Sequence, residues 1–311
     1  MVVKKKIVTE LLKPQLACDA KLGKLVFPLH VQKKVDGVRL LVKDGRAVGR
    51  SFKQYKNKKL TSYLSNPLFE GFDGEIVTTH QNDPALCRLT TSQVNTIEGD
   101  LPNEWFVFDY LHPDVITLPY AKRMLHLKCH IANTELPSDI KIVVSEQVLV
   151  HSLEELETLY ASYLDVDYEG VIIRKQEGLH KNGRCTVTEG NYLRIKPKGD
   201  AEGVVVEIIE AMENNNEAKI NELGHTERST HKENLSPKGM IGSLVLYVEE
   251  LGCNVKVGAG KLTHEERIYY FNNQDELKKL IIKYAFLATG QKDAPRHPRV
   301  IGFRLPEDMS K

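Results

Sequence analysis

Residues 34–39 read Lys34-Val35-Asp36-Gly37-Val38-Arg39, and the rest of the chain is interpreted from this hexapeptide. It places an amine at the end of a strand, a tight Asp-Gly after it, and an arginine two residues on. A lysine attacks phosphorus only as the free amine, so a nucleophilic Lys34 needs a special site. At neutral pH only about one free lysine in a thousand is neutral, and lowering its pKa by three units costs roughly 4 kcal/mol. Alternation along a strand puts Gln32, Lys34 and Asp36 on one face, with Lys33 and Val35 on the other. Taken alone, the hexapeptide fits a surface hairpin as well as an active site.

Further clusters follow in an order that makes chemical sense. They are Phe72-Asp73-Gly74-Glu75-Ile76, Trp105-Phe106-Val107-Phe108-Asp109-Tyr110, Asp167-Tyr168-Glu169-Gly170-Val171-Ile172-Ile173-Arg174, and Leu193-Arg194-Ile195-Lys196-Pro197-Lys198. In this order, from about Lys13 to Asp308, the chain resembles the covalent nucleotidyltransferases: ATP-dependent DNA ligases, RNA ligases and mRNA capping enzymes. It is most similar to the small two-domain bacteriophage-type ATP-dependent DNA ligases. Lys13-Pro14-Gln15-Leu16-Ala17 and Gly242-Ser243-Leu244-Val245 look more like DNA ligases than RNA ligases. An RNA ligase or a GTP-using capping guanylyltransferase is the alternative. A non-catalytic nucleic-acid binder fits poorly with an intact set of Lys34, Glu75, Glu169, Lys196 and Lys198. An NAD-dependent ligase fits poorly too, because its zinc cysteines and nicotinamide-binding domain have no counterpart.

The resemblance implies an α+β nucleotidyltransferase domain of antiparallel sheets with helices over residues 1–199, then an OB-fold β-barrel over 200–311. It implies ATP and Mg²⁺ as cofactors and nicked double-stranded DNA as partner. Lys34 would carry AMP. Gln32 would read the adenine 6-amino group, Phe108 would stack on the ring and Glu75 would meet the ribose. Lys33, Arg39, Arg50, Lys196 and Lys198 would complete the nucleotide site. Glu75 and Glu169, each next to glycine and read as strand-end acids, suit a hard cation, and Lys196 and Lys198 alternate onto one face toward the α-phosphate. Arg304 would help orient pyrophosphate, although Leu305-Pro306-Glu307-Asp308 after it departs from the family's usual Arg-x-Asp-Lys.

Composition bounds this reading without deciding it. The 311 residues allow two domains, and 43 Lys plus Arg against 42 Asp plus Glu give no overall sign of a nucleic-acid binder. Five scattered cysteines, no CxxC spacing, no membrane-length apolar run and no apolar signal core after Met1 predict a cytoplasmic protein, taken as a monomer. A GxxxxGK[ST] loop is absent, which excludes a P-loop enzyme.

Local patterns add detail. Ser152, with Glu155 three residues on, predicts the N-terminus of a helix over 153–164 that feeds a strand over 170–175. Asp44-Gly45 predicts a type I′ hairpin pairing Lys43 with Arg46 and, counting outward, Arg39 with Arg50. Opposed guanidiniums are unfavourable unless an anion sits against them. Lys53, Lys56, Lys58 and Lys59 crowd beside that hairpin and predict DNA phosphate contact, the other reading being a solvated face. Beyond residue 200, strands are expected over 204–209, 241–248, 254–257 and 300–304, with a helix near 274–284. The polar, Asn-rich stretch 212–238 predicts a mobile loop; its second half leans basic, leaving DNA contact as a second role.

Overall fold

The structure, a computed structural model, describes residues 13–79, 83, 85–287 and 295–304. Two compact units divide between Lys196 and Pro197, ahead of the 199/200 boundary expected from sequence. The reason is local: Lys198 already pairs with Leu287, so Lys198, Gly199 and Asp200 belong to the second unit's barrel.

In the first unit two five-stranded sheets share one pattern. One runs in the order Cys18–Asp19, Tyr192–Ile195, Gly170–Arg174, Leu29–Lys34, Val148–Val150. The other runs Arg46–Val48, Val38–Lys43, Phe72–Val77, Glu104–Tyr110, Lys141–Val144. Each carries one parallel pair at an edge, so the sheets are mixed where purely antiparallel ones were expected. Alternation buries one face of each. Val31, Val171, Ile173 and Leu193 pack with Leu156 and Tyr163 of the helix Leu153–Leu164. Leu40, Val42, Phe72, Ile76, Trp105 and Val107 pack with the helices Lys58–Leu64 and Tyr120–Asn133. The opposite faces carry Gln32 and Lys34 in one sheet, Arg39, Asp73, Glu75 and Phe108 in the other, and these residues are the ones left for chemistry.

The Ser152 cap is present: its side chain accepts from the Glu155 amide, and the helix and the strand Gly170–Arg174 follow as expected. Asp44 and Gly45 both take positive φ, 53° and 67°, the signature of a type I′ turn, and Lys43 faces Arg46. The pairing stops at Leu41 and Val48, so Arg39 does not face Arg50. Past Val48 the chain folds on itself, with Gly49 donating to the Lys53 carbonyl, and the Tyr55 hydroxyl donates to the Arg39 carbonyl at 2.5 Å.

The second unit is a closed barrel of Lys198–Asn214, Leu235–Val248, Cys253–Gly258, Arg296–Arg304 and Ile281–Leu287, in that circular order. Leu244, Leu246, Val255, Val257, Ile282, Tyr284 and Val300 fill it. The helix expected near 274–284 is corrected here. A single turn covers Gln274–Leu277, Ile281–Leu287 is a barrel strand, and the longer helix is His264–Asn272, opened by a Thr263–Glu266 capping box. Residues 212–238 are likewise not a loop. The first two barrel strands run on through Met212–Pro237 and Asn214–Leu235 pairs and end in a small hairpin, Ala218–Ile220 against Thr226–Arg228. The asparagines build this ribbon. Asn216, 5% exposed, donates to the Ser229 and His231 carbonyls at 3.0 and 2.8 Å, and Asn215 and Asn234 tie across it.

Candidate active site

An open cleft in the first unit is lined by Gln32, Lys33, Lys34, Arg39, Arg50, Glu75 and Phe108. Seven of the expected site residues thus meet there, together with Phe106, Ile172, Arg184, Tyr192 and Arg194. Lys34 ends its strand and pairs in register with Gly170, whose φ of 144° and whose lack of a side chain let the Ile195 carbonyl approach. A Cβ on Gly170 would stand 2.2 Å from that oxygen. The close approach seats Glu169 beside Lys34, and its amide donates to the Lys34 carbonyl at 2.9 Å. Glu169 also binds both cations: Oε2 takes Lys34 Nζ, and Oε1 takes Lys196 Nζ at 3.1 Å.

The electrostatics correct one expectation. Burial works to strip the Lys34 ammonium of its proton, but Glu169 and then Glu75 more than offset it, and its pKa is raised, not lowered. Glu169 is held below the usual carboxylate range because Lys34 and Lys196 outweigh its burial. Lys196 is the lysine whose pKa falls, through burial. Glu75, which lies inside the strand Phe72–Val77 rather than at its end, is pushed up to about 7 by burial against the pull of Lys34 and Arg39.

Arg39 is clamped by Asp73, 2.5 Å from Nε to Oδ1 and 2.5 Å from Nη2 to Oδ2, with its guanidinium 4.6 Å from the Phe108 ring centre. The anion expected between Arg39 and Arg50 is therefore supplied to Arg39 by the protein. Asp73 was legible in the sequence: period-2 spacing puts it on the face of Glu75. Arg184 was not, since a two-residue strand, Gly183–Arg184, brings it in from a loop. Lys33 lines the cleft but directs its ammonium away to the other face, 5.0 Å from the Tyr168 ring and 5.5 Å from that of Tyr163.

Lys196 and Lys198 do not share one strand face, because the strand Tyr192–Ile195 ends before them and Lys198 opens the first barrel strand. Within the second unit Arg304 Nε pairs with Glu202 at 3.0 Å. The stretch Leu305-Pro306-Glu307-Asp308 lies outside the described residues. In the lysine tract, Lys53 and Lys56 are exposed, while Lys58 and Lys59 pair with Glu98 and Asp100 at 2.5 and 2.7 Å. Lys58 and Lys59 are thus already paired within the protein, though such exposed pairs hold weakly.

The family model described as "ATP dependent DNA ligase domain" matches residues 14–196, the span that carries the cleft and every lysine and carboxylate around it. The chain belongs to that family. It is an ATP-dependent DNA ligase of the nucleotidyltransferase superfamily, an enzyme that seals nicks, with an adenylation domain followed by an OB-fold domain. Among solved structures, Chlorella virus DNA ligase-adenylate is 26% identical over 96% of this chain and 100% of that one, with a TM-score of 0.52. A Lig E DNA ligase, described as binding DNA with a minimal scaffold, shares the fold at 18% identity, covering 94% of this ligase and 99% of that chain with a TM-score of 0.69. The bacteriophage T7 ATP-dependent DNA ligase in complex with ATP shares it at 14% identity, 94% and 98% coverage and a TM-score of 0.50. No curated protein matches the chain.

Proposed function

We propose that Lys34 takes up AMP and that the cleft around it seals nicks in duplex DNA in three steps. The observation that carries the reading is the position of Lys34, a largely buried amine at a strand end, held between Glu169 and Glu75 and lining the cleft with Gln32, Arg39 and Phe108. As a free amine, Lys34 Nζ attacks the α-phosphorus of ATP; the new N–P bond replaces the α–β anhydride and pyrophosphate leaves. An oxygen of the nick's 5′-phosphate then displaces Lys34 from AMP. Finally the 3′-hydroxyl attacks that 5′-phosphate, AMP leaves and the strand is joined. Phosphoryl transfer of this kind needs positioning and charge neutralisation more than any other help.

Glu169 decides when Lys34 can act. While the two are paired the amine keeps its proton; once Glu169 is drawn away, and the charge of Glu75 with it, the opposing burial gains the upper hand and favours the neutral nucleophile. Glu75 and Glu169 are the residues that would hold Mg²⁺. They fit it: Glu75 is a buried carboxylate whose burial outweighs the pull of Lys34 and Arg39, and magnesium takes one or two carboxylates along with phosphate and water oxygens. The ion would supply charge neutralisation at the phosphates. Arg39 and Phe108 shape the nucleotide pocket, Arg50 at its exposed rim suits a phosphate, and Lys196 would meet the α-phosphate when Glu169 releases it. Lys198 and Arg304 would act from the OB-fold domain, and Lys53, Lys56, Lys58 and Lys59 would grip DNA phosphates. The working unit is taken as a cytoplasmic monomer. Free thiols support that location, and no helix among the described residues is long and apolar enough to cross a membrane.

The test is peptide mapping after incubation with Mg²⁺ and labelled ATP. AMP is expected on Lys34, lost in Lys34→Ala and kept in Lys33→Ala. Label on Lys33 or on any other residue overturns the assignment.

A further inference from the structure

Behind Gln32 lies a run of hydrogen bonds that no sequence motif marks. Gln32 and Tyr120 are each 2% exposed, and Gln147 and Gln176 are half-buried. The donor–acceptor accounting starts at the Phe108 carbonyl, which can only accept and takes the Tyr120 hydroxyl proton at 2.9 Å. With its proton committed, the Tyr120 oxygen accepts from Gln147 Nε2 at 2.8 Å. That bond orients the Gln147 amide, whose Oε1 then accepts from Gln176 Nε2. That leaves the amino group of Gln147 3.5 Å from Gln32, where it meets Oε1, and the Tyr120 hydroxyl lies 3.4 Å from the same atom. Turning the Gln32 amide over would set two amino groups against each other in a buried site, which costs a hydrogen bond and leaves donors unsatisfied.

We infer that the Gln176–Gln147–Tyr120 relay holds Gln32 with its carbonyl inward and its amino group toward the cleft, so that Gln32 reads an acceptor on the base. On the Watson–Crick edge of adenine the acceptor is the ring nitrogen N1, while the 6-amino group is a donor. Gln32 therefore recognises N1 rather than the 6-amino group that the family resemblance suggests. Gln147 is a positioning residue: it sets which end of Gln32 meets the base without lining the cleft. The inference rests on the reading of this cleft as the adenylation site.

Two analogues separate the possibilities in the full-length protein. Purine riboside triphosphate lacks the 6-amino group and keeps N1; 1-deaza-ATP keeps the amino group and has carbon at N1. Single-turnover formation of the covalent adduct is expected to be within about threefold of ATP for the first and at least about tenfold slower for the second, the size of effect a lost hydrogen bond in a polar pocket produces. Gln147→Glu provides the second measurement. A carboxylate has no proton to give, so Gln32 must turn its amino group inward and offer its carbonyl to the base, and the order of the two analogues reverses. A wild-type enzyme that needs the 6-amino group and tolerates 1-deaza-ATP overturns the inference, as do equal rates for both analogues. A Gln147→Glu variant that slows ATP and both analogues by one common factor shows a merely structural role and overturns the relay. Failure to form any adduct with ATP is a separate outcome: it removes the assignment of the cleft, and the inference with it.

Discussion

Arg39 and Arg50 both line the cleft, yet they differ in what holds them. Arg39 is fixed by Asp73, whose side chain is 1% exposed, whereas Arg50 is exposed and outside the sheet. Arg39→Ala strands a buried carboxylate, so it should destabilise the protein by about 3–5 kcal/mol as well as impair catalysis. Arg50→Ala should leave stability within about 0.5 kcal/mol and slow nucleotidyl transfer or sealing about 10-fold or more. Urea unfolding beside single-turnover kinetics checks both, and equal stability of the two variants refutes the distinction. Glu75 gives a pH test. Its carboxyl titrates near 7 in the folded protein and near 4.5 in the unfolded chain, so between those values the folded state holds the extra proton. Stability from this group is therefore present below pH 4.5 and is lost as pH rises to about 7. Relative to Glu75→Gln, the wild-type enzyme should lose on the order of 1–3 kcal/mol across that window and nothing further above it, as read by denaturant melts at each pH. A flat difference would mean that folding leaves the Glu75 pKa unshifted, the attraction of Lys34 and Arg39 cancelling its burial.

At the scale of elements, the strands declared themselves by alternation and the ribbon over 212–238 did not. Its asparagines, which read as disorder by composition, replace missing ladder bonds: Asn214, Asn215, Asn216 and Asn234 each bridge to a distant backbone or side-chain atom. Polar side chains signal a loop only while they bond to water, and sequence does not say which partner they will take. Near its tip the ribbon exposes Ile220, 72% accessible, with Lys219 beside it. Replacing 212–238 by a short Gly-Ser turn should leave Lys34 adenylylation intact, weaken nick binding and let adenylated DNA accumulate. Unchanged nick affinity and sealing would show that the ribbon does not touch DNA.

The whole molecule has two separately packed interiors. The sheets of the adenylation domain bury Trp105, Phe72 and Val31 in their own clusters, and the barrel buries Leu244, Val257 and Tyr284 in another. Calorimetry should therefore resolve two transitions, and ATP at about 100 times its Kd should raise only the one belonging to the adenylation domain, by about 2.7 kcal/mol. A single transition, or a shift in both, would show that the domains unfold together. By itself the sequence determined the order of motifs, the face on which Lys34 and Gln32 stand, the capped helix at Ser152 and the turn at Asp44-Gly45, because period-2 alternation, a cap and a tight turn are local properties. The resemblance of its motifs carried the family and the two-domain architecture. Tertiary structure alone decided that Glu169 neutralises Lys34, that Asp73 claims Arg39 before any phosphate can, and that a buried relay orients Gln32. Those are contacts between strands far apart in the chain, and the charge state of a buried group is set by the neighbours folding brings to it.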